Sequence, residues 1–181
     1  IIAKYRLKNI HDIWPNFSVY IWGGVAIEPY KKSLDALLGQ PIMYFETYLA
    51  SEGFVAYQNK KDASGMRLNF KNGMFFEFVP FNEENFDHDY NLKPNAQVVS
   101  IKHVEKNIDY AILLTTCSGS WRYLIGDTIQ FTDTDLCEIK ITGRTKHFLS
   151  ICGEHLSVDN MNEAVAKLSD YLETPINEYT V

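Results

Sequence analysis

Four stretches of the chain combine residue types that could handle phosphate, sugar or metal. Gly23-Gly24 ends an apolar run and would let backbone approach a flat ligand closely; the other reading is an ordinary turn. Next comes Thr47-Tyr48-Leu49-Ala50-Ser51-Glu52-Gly53. There Tyr48 can stack on a base, Ser51 can bond a phosphate, and Glu52 can hold Mg²⁺ beside phosphate oxygens. Equally, Ser51 could cap a helix with Glu52 in its first turn. The third stretch is Trp121-Arg122-Tyr123-Leu124-Ile125-Gly126-Asp127, whose Gly-Asp pair can aim a carboxylate at ribose hydroxyls or simply close a hairpin. The Ser/Thr-rich segment before it lacks P-loop spacing. Last are Arg144 and Lys146, either phosphate contacts, a cationic linker or a solvated turn. His147, Cys152 and His155 lack the paired spacing and the fourth ligand of a zinc site. No Ser/His/Asp triad can be assembled.

The elements that must position these residues follow from periodicity. A helix is expected over 1–14, closed by Trp14-Pro15. Residues 19–22 and 42–45 read as buried strands flanking a helix at 28–38, with Pro29 in its first turn and Gly39 as its stop. Strand, helix and strand over so short a span predict a βαβ unit with parallel pairing. Asn72-Gly73 between apolar runs at 66–70 and 74–79 predicts a two-residue hairpin. Residues 82–95 read as a polar surface loop. Strands are expected at 97–101, 110–116, 128–132, 138–142 and 148–151, giving an antiparallel sheet or a distorted barrel. A helix at 159–173 carries Met161, Val165, Leu168 and Leu172 on one face, with Ser157 or Asp159 as its cap. The fold class is thus mixed α/β: a βαβ unit followed by a β-rich region.

Composition narrows the function classes. With 46% hydrophobic and 22% charged residues among 181, the chain has ordinary globular usage rather than that of a disordered segment. A formal net charge of −6 argues against a general nucleic-acid binder. The longest apolar stretches, such as Ala111-Ile112-Leu113-Leu114, are strand-sized, far short of the ~18 residues a membrane helix needs. Three widely spaced cysteines (Cys117, Cys137, Cys152) make no disulfide framework and point to a reducing cytoplasm. The chain begins without Met and stops soon after a predicted helix, so it is expected to be part of a longer protein.

Taken together and in order, the four stretches resemble the adenylate-forming superfamily of acyl-CoA synthetases, peptide-synthetase adenylation domains and luciferases. Within it the chain is similar to the auxin-responsive acyl acid–amido synthetases, the Gretchen Hagen family of plants and its bacterial relatives. The segments IWPNFSVYIWGG, YLASEGFVAY, GMFFEFVPF, LLTTCSGSWRYLIGDTIQFT and ITGRTKHFLSICGEHLS carry that resemblance across essentially the whole chain. It implies that a carboxylic acid attacks Mg·ATP to give an acyl-adenylate and pyrophosphate, and that an amine, typically of an amino acid, then takes the acyl group. Carried over residue by residue, Gly23 and Gly24 lie against adenine and Tyr48 stacks on or flanks it. Ser51 approaches the α-phosphate, and Glu52 holds Mg²⁺. Tyr123 belongs to the nucleotide contacts, Asp127 accepts from the ribose hydroxyls, and Arg144 touches ribose or phosphate. Lys146 falls at the hinge. The resemblance also divides the chain. Residues 1–143 would be the later part of a large domain, and 144–181 the start of a small α+β C-terminal domain.

Two positions depart from the family's pattern. Ala50 stands where its first motif Ser belongs, and Leu124 replaces Arg in Tyr-Arg-x-Gly-Asp. A lost guanidinium removes a charge-assisted hydrogen-bonding group. Arg122, two residues earlier, would point to the same side of a strand and partly stand in. The phosphate loop is expected before residue 1 and the catalytic Lys after residue 181. Two other classes remain open at this point: a nucleotide-binding relative without turnover, and a β-rich carrier of an apolar acid.

Overall fold

A computed structural model describes residues 2–61, 63–145, 149–151, 154–156, 158–174 and 176. The first element is a four-residue helix, α1 (Ile2–Tyr5), and a 3-10 turn follows at Ile10–Asp12. The expected helix over 1–14 is interrupted because Arg6 takes φ +55° and Asn9 starts a new cap, its Oδ1 accepting the His11 N–H at 2.9 Å. The segment is then tied to the chain beyond residue 35, since Ile10 N–H donates to the Leu37 carbonyl at 2.9 Å.

The expected βαβ unit is present. Strand β1 (Val19–Gly23), helix α2 (Glu28–Asp35) and strand β2 (Met43–Ala50) follow in order, and β1 and β2 pair in parallel. Contrary to the buried reading of 19–22, β1 is mostly exposed, with Ile21 at 64%. Beyond them come β3 (Gly53–Tyr57), β4 (Met66–Leu68), β5 (Phe75–Pro80), β6 (Asp109–Thr115), β7 (Tyr123–Asp133) and β8 (Glu138–Arg144). These eight strands form one sheet in the order β1-β2-β3-β4-β8-β7-β6-β5, antiparallel at every junction except the first. Strands β1 and β5 lie at opposite ends of that order, so the described strands make an open sheet, and the barrel alternative falls. A separate hairpin pairs β9 (Leu149–Ile151) with β10 (Glu154–Leu156), and α3 (Val158–Tyr171) matches the last expected helix.

Two local expectations are corrected. Asn72-Gly73 makes a turn, with Met74 N–H on Asn72 Oδ1 at 3.1 Å, but not a hairpin. Both edges of β4 are already taken, by β3 and β8, so the chain leaves the turn for β5 at the far end of the sheet. Residues 97–101 are not a strand. Val99 makes a single bridge to Phe78, and Ile101–His103 closes into a 3-10 turn.

Strand β6 explains how the sheet is stabilised. It is buried on both faces from Tyr110 to Leu114. By the two-residue period, Tyr110, Ile112 and Leu114 enter the larger core with Phe78, Phe131, Ile129, Ile139 and Met66. Ala111 and Leu113 face the opposite way, against Val79 and Phe86. The 82–95 loop supplies the cover for that second face. Its anchor is the buried Asn85, which donates to the Pro80 carbonyl at 2.9 Å and accepts from Gln97 N–H at 2.7 Å.

Candidate functional site

Three of the residues singled out by sequence converge. The middle of β7 departs from regular pairing: Ala111 faces Thr128 while Leu113 faces Leu124, so β7 carries extra residues between them. Gly126 sits in that bulge at φ +88°, a conformation glycine reaches without a Cβ clash. Bulging turns Asp127 toward β8, where Arg144 is its register partner. Arg144 Nε lies 3.0 Å from Asp127 Oδ1. On the other side, the Tyr48 hydroxyl donates to Asp127 Oδ2 at 2.5 Å. Gly-Asp here is therefore neither a hairpin turn nor a loop but a strand bulge.

The surroundings hold this arrangement. Thr145, buried, donates its N–H to the Gly126 carbonyl at 2.7 Å, clamping the end of β8 onto the bulge. One residue further along β7, the buried Thr128 lies 3.1 Å from the Thr142 hydroxyl, which donates to Asp109 Oδ1 at 2.6 Å. Tyr48 is 4% exposed and belongs to the main core. Burial first, then the Asp127 carboxylate, pushes its phenol well above the usual range, so it remains a donor at any physiological pH.

The other expected residues stand around this centre. Ser51 and Glu52 occupy the two-residue turn between β2 and β3, so the helix-cap reading of this stretch is overturned. Glu52 is half-buried, and its charge acts on the Tyr48 phenol. Gly23 is required by contact: a Cβ there would lie 2.4 Å from the Thr47 carbonyl oxygen. Gly24 follows it at φ +86°. Tyr123 opens β7 and is 48% exposed. Arg122 is drawn to Glu77, with Nε 3.1 Å from Oε2. Glu77 shares a cross-strand row with Leu113 and Leu124, so the guanidinium does lie on the side of Leu124, already paired. Lys146, His147, Cys152 and Ser157 lie outside the described residues.

Two features escaped the sequence reading. Residues Tyr90, Asn91 and Leu92 of the surface loop face Leu124, Gly126, Arg144 and Thr145 across a cleft of about 470 Å³. Nothing in a polar, irregular loop signals that partner. On β2, two residues before Tyr48, Glu46 is half-buried, and burial together with the Glu28 charge pushes its carboxyl up to about 7. Among the described residues no group of three or more His, Cys, Asp or Glu could hold a metal ion, and no helix is long and apolar enough to cross a membrane.

A mixed α/β chain with a large, mostly antiparallel sheet and a carboxylate presented on a strand bulge is the class these observations define. Residues 68–144 match the model of the GH3 family central domain. The chain is 25% identical over 182 residues to indole-3-acetic acid-amido synthetase GH3.2 of Arabidopsis thaliana, covering 94% of this chain and 33% of that protein. It is 25% identical over 175 residues to jasmonoyl–L-amino acid synthetase GH3.5 of Oryza sativa subsp. japonica, covering 91% and 30%. In fold it resembles the solved GH3.15 acyl acid amido synthetase, with a TM-score of 0.68 at 22% identity over 90% of this chain and 28% of that one. The chain is thus similar to the GH3 family in its central residues and in fold. It spans about a third of the length of the curated relatives it matches.

Proposed function

We propose that this chain is part of an ATP-dependent acyl acid–amido synthetase, which adenylates a carboxylic acid and passes the acyl group to an amine such as an amino acid. The observation that carries the reading is the Asp127 carboxylate, set on a bulge and gripped by Tyr48 and Arg144. Relatives bearing amido synthetase names support the reaction class. In this proposal Asp127 accepts the ribose hydroxyls. Arg144 lies at ribose or phosphate, and Tyr123 at the nucleotide's edge. Gly23 and Gly24 lie under the adenine, and Ser51 and Glu52 at the phosphates. Residues 1–143 then belong to the large domain and 144–181 to the small one, with Lys146 at the hinge. The reaction is assigned to the cytoplasm, in keeping with an odd number of widely spaced cysteines.

The residues present fit Mg²⁺ through a single carboxylate, that of Glu52. Mg²⁺ is commonly held by one or two carboxylates together with substrate phosphates rather than by an all-protein cage, and the half-buried Glu52 in the β2–β3 turn suits that arrangement. Bound with ATP, the ion would neutralise charge on the phosphates. The chain's own residues orient the nucleotide by its sugar and offer cationic Arg144 beside it.

Pyrophosphate exchange by the intact protein, run with a panel of carboxylic acids, tests the reading. Acid-dependent exchange is the expected result. Nucleotide binding without exchange would favour the second reading, a binding relative without turnover, which Leu124 and the already paired Arg122 motivate. Binding of an apolar acid without ATP would favour a carrier.

A further inference from the structure

We propose that Tyr48 is a positioning residue: it holds the Asp127 carboxylate so that both oxygens face a vicinal diol, and thereby sets a preference for ribose over deoxyribose. This rests on the nucleotide reading above and deepens it. A carboxylate offers roughly four acceptor directions over its two oxygens. The Tyr48 hydroxyl takes one at Oδ2 and Arg144 takes one at Oδ1. The carboxylate cannot rotate about Cβ–Cγ without losing both contacts. One acceptor direction is left on each oxygen, which is the pattern two hydroxyls on adjacent carbons satisfy together.

The two grips are unequal. Arg144 is 57% exposed, a long side chain free to exchange its partner for water, whereas the Asp127 side chain is 18% exposed. Tyr48 has its ring locked in the same core cluster as Val55 and Ile125. A donor on a rigid, buried ring fixes direction better than one on a flexible chain. The same burial argues against base stacking by Tyr48. At 4% exposure neither face of the ring is offered to a ligand, so Tyr48 reaches the nucleotide through Asp127.

The test is to measure the affinity of the intact protein, unmodified and as Tyr48→Phe, for ATP, 2′-deoxy-ATP and GTP. The unmodified protein should prefer ATP over 2′-deoxy-ATP by about tenfold or more. Tyr48→Phe keeps the ring and should shrink that preference about fivefold, while the ATP-over-GTP ratio stays put. In an Asp127→Asn background the same change should have no further effect on the ribose preference. Weaker binding of ATP and 2′-deoxy-ATP by an equal factor would show a structural or stacking role and overturn the proposal while leaving the nucleotide reading standing. No ribose preference in the unmodified protein would remove both. A second measurement needs no mutant. The Tyr48 hydroxyl proton, followed by NMR, should be protected from solvent exchange with and without ATP, and rapid exchange in the complex would overturn the assignment.

Discussion

Glu52 and Glu46 are carboxylates on the same hairpin with different prospects. Glu52 sits in the β2–β3 turn, and in the proposed function it holds a metal arriving with the triphosphate. If the proposed function holds, replacing Glu52 by Gln in the intact protein should cost about 3–4 kcal/mol of transition-state stabilisation, a several hundredfold loss of pyrophosphate exchange with folding kept. Near-normal exchange by that variant would remove Glu52 from the mechanism. Glu46 has a carboxyl pushed up to about 7 by burial and by Glu28. Its folded state therefore binds more protons than the unfolded one between about pH 4.5 and 7, and stability falls as pH rises through that window. Glu46→Gln should abolish this fall, raising stability at pH 8 by about 1–2 kcal/mol once partial exposure is allowed for. Thermal midpoints of both proteins from pH 5 to pH 8.5 give the comparison, and parallel curves would show that Glu46 is not the responsible group.

At the scale of elements, the β7 bulge is what turns Asp127 toward Tyr48 and Arg144 and makes it a candidate site residue. Gly126→Ala forces a Cβ onto a residue at φ +88° although the nearest atoms, Arg144 Nη2 and Thr145 Oγ1, are 3.8 and 3.9 Å away. The penalty is thus backbone strain of about 1–2 kcal/mol rather than a clash. Relief by straightening β7 would swing Asp127 off Arg144, so weaker nucleotide binding should accompany the lower thermal midpoint. Gly23→Ala tests the opposite mechanism. Its Cβ would meet the Thr47 carbonyl at 2.4 Å, so the β1–β2 pair must part, at about 1–3 kcal/mol. A melting curve unchanged by that substitution would mean the two strands are not so closely apposed.

For the whole molecule the decisive fact is extent. The chain matches about a third of each curated relative, and its β1–β2 end shows Ile21, Leu49, Val19 and Met43 to solvent. Exposed apolar surface of this kind marks an interaction face. Catalytic groups that act as a unit lose most of their effect when one is absent. Purified residues 1–181 are therefore expected to self-associate and to show no pyrophosphate exchange above background. Sedimentation and exchange assays beside the intact protein check both. Clear exchange by the 181-residue piece would refute the proposed division of labour.

What the sequence determined by itself is what local chemistry can carry. The 19–50 segment announces strand, helix and strand through its apolar runs, Pro29 and Gly39, and the parallel pair follows from that order. Tyr48, Asp127 and Arg144 stand out as candidates only through the family resemblance that the order of their motifs carries, whereas α3 is legible from its apolar spacing. Tertiary structure decided the rest, because strand pairing and burial depend on neighbours remote in sequence. Asn72-Gly73 has the local signature of a hairpin, yet Met66 pairs with Ile139, so the turn could not close one. Gly126-Asp127 reads like a turn dipeptide, and only the mismatch between β6 and β7 makes it a bulge. Residues 82–95 look like solvated loop, but Ala111 and Leu113 need cover on their side of the sheet, and that need brings Tyr90 to Leu92 against the cleft. Sequence names the groups that could bind; the sheet's register, set by contacts up to about seventy residues apart, determines which of them meet.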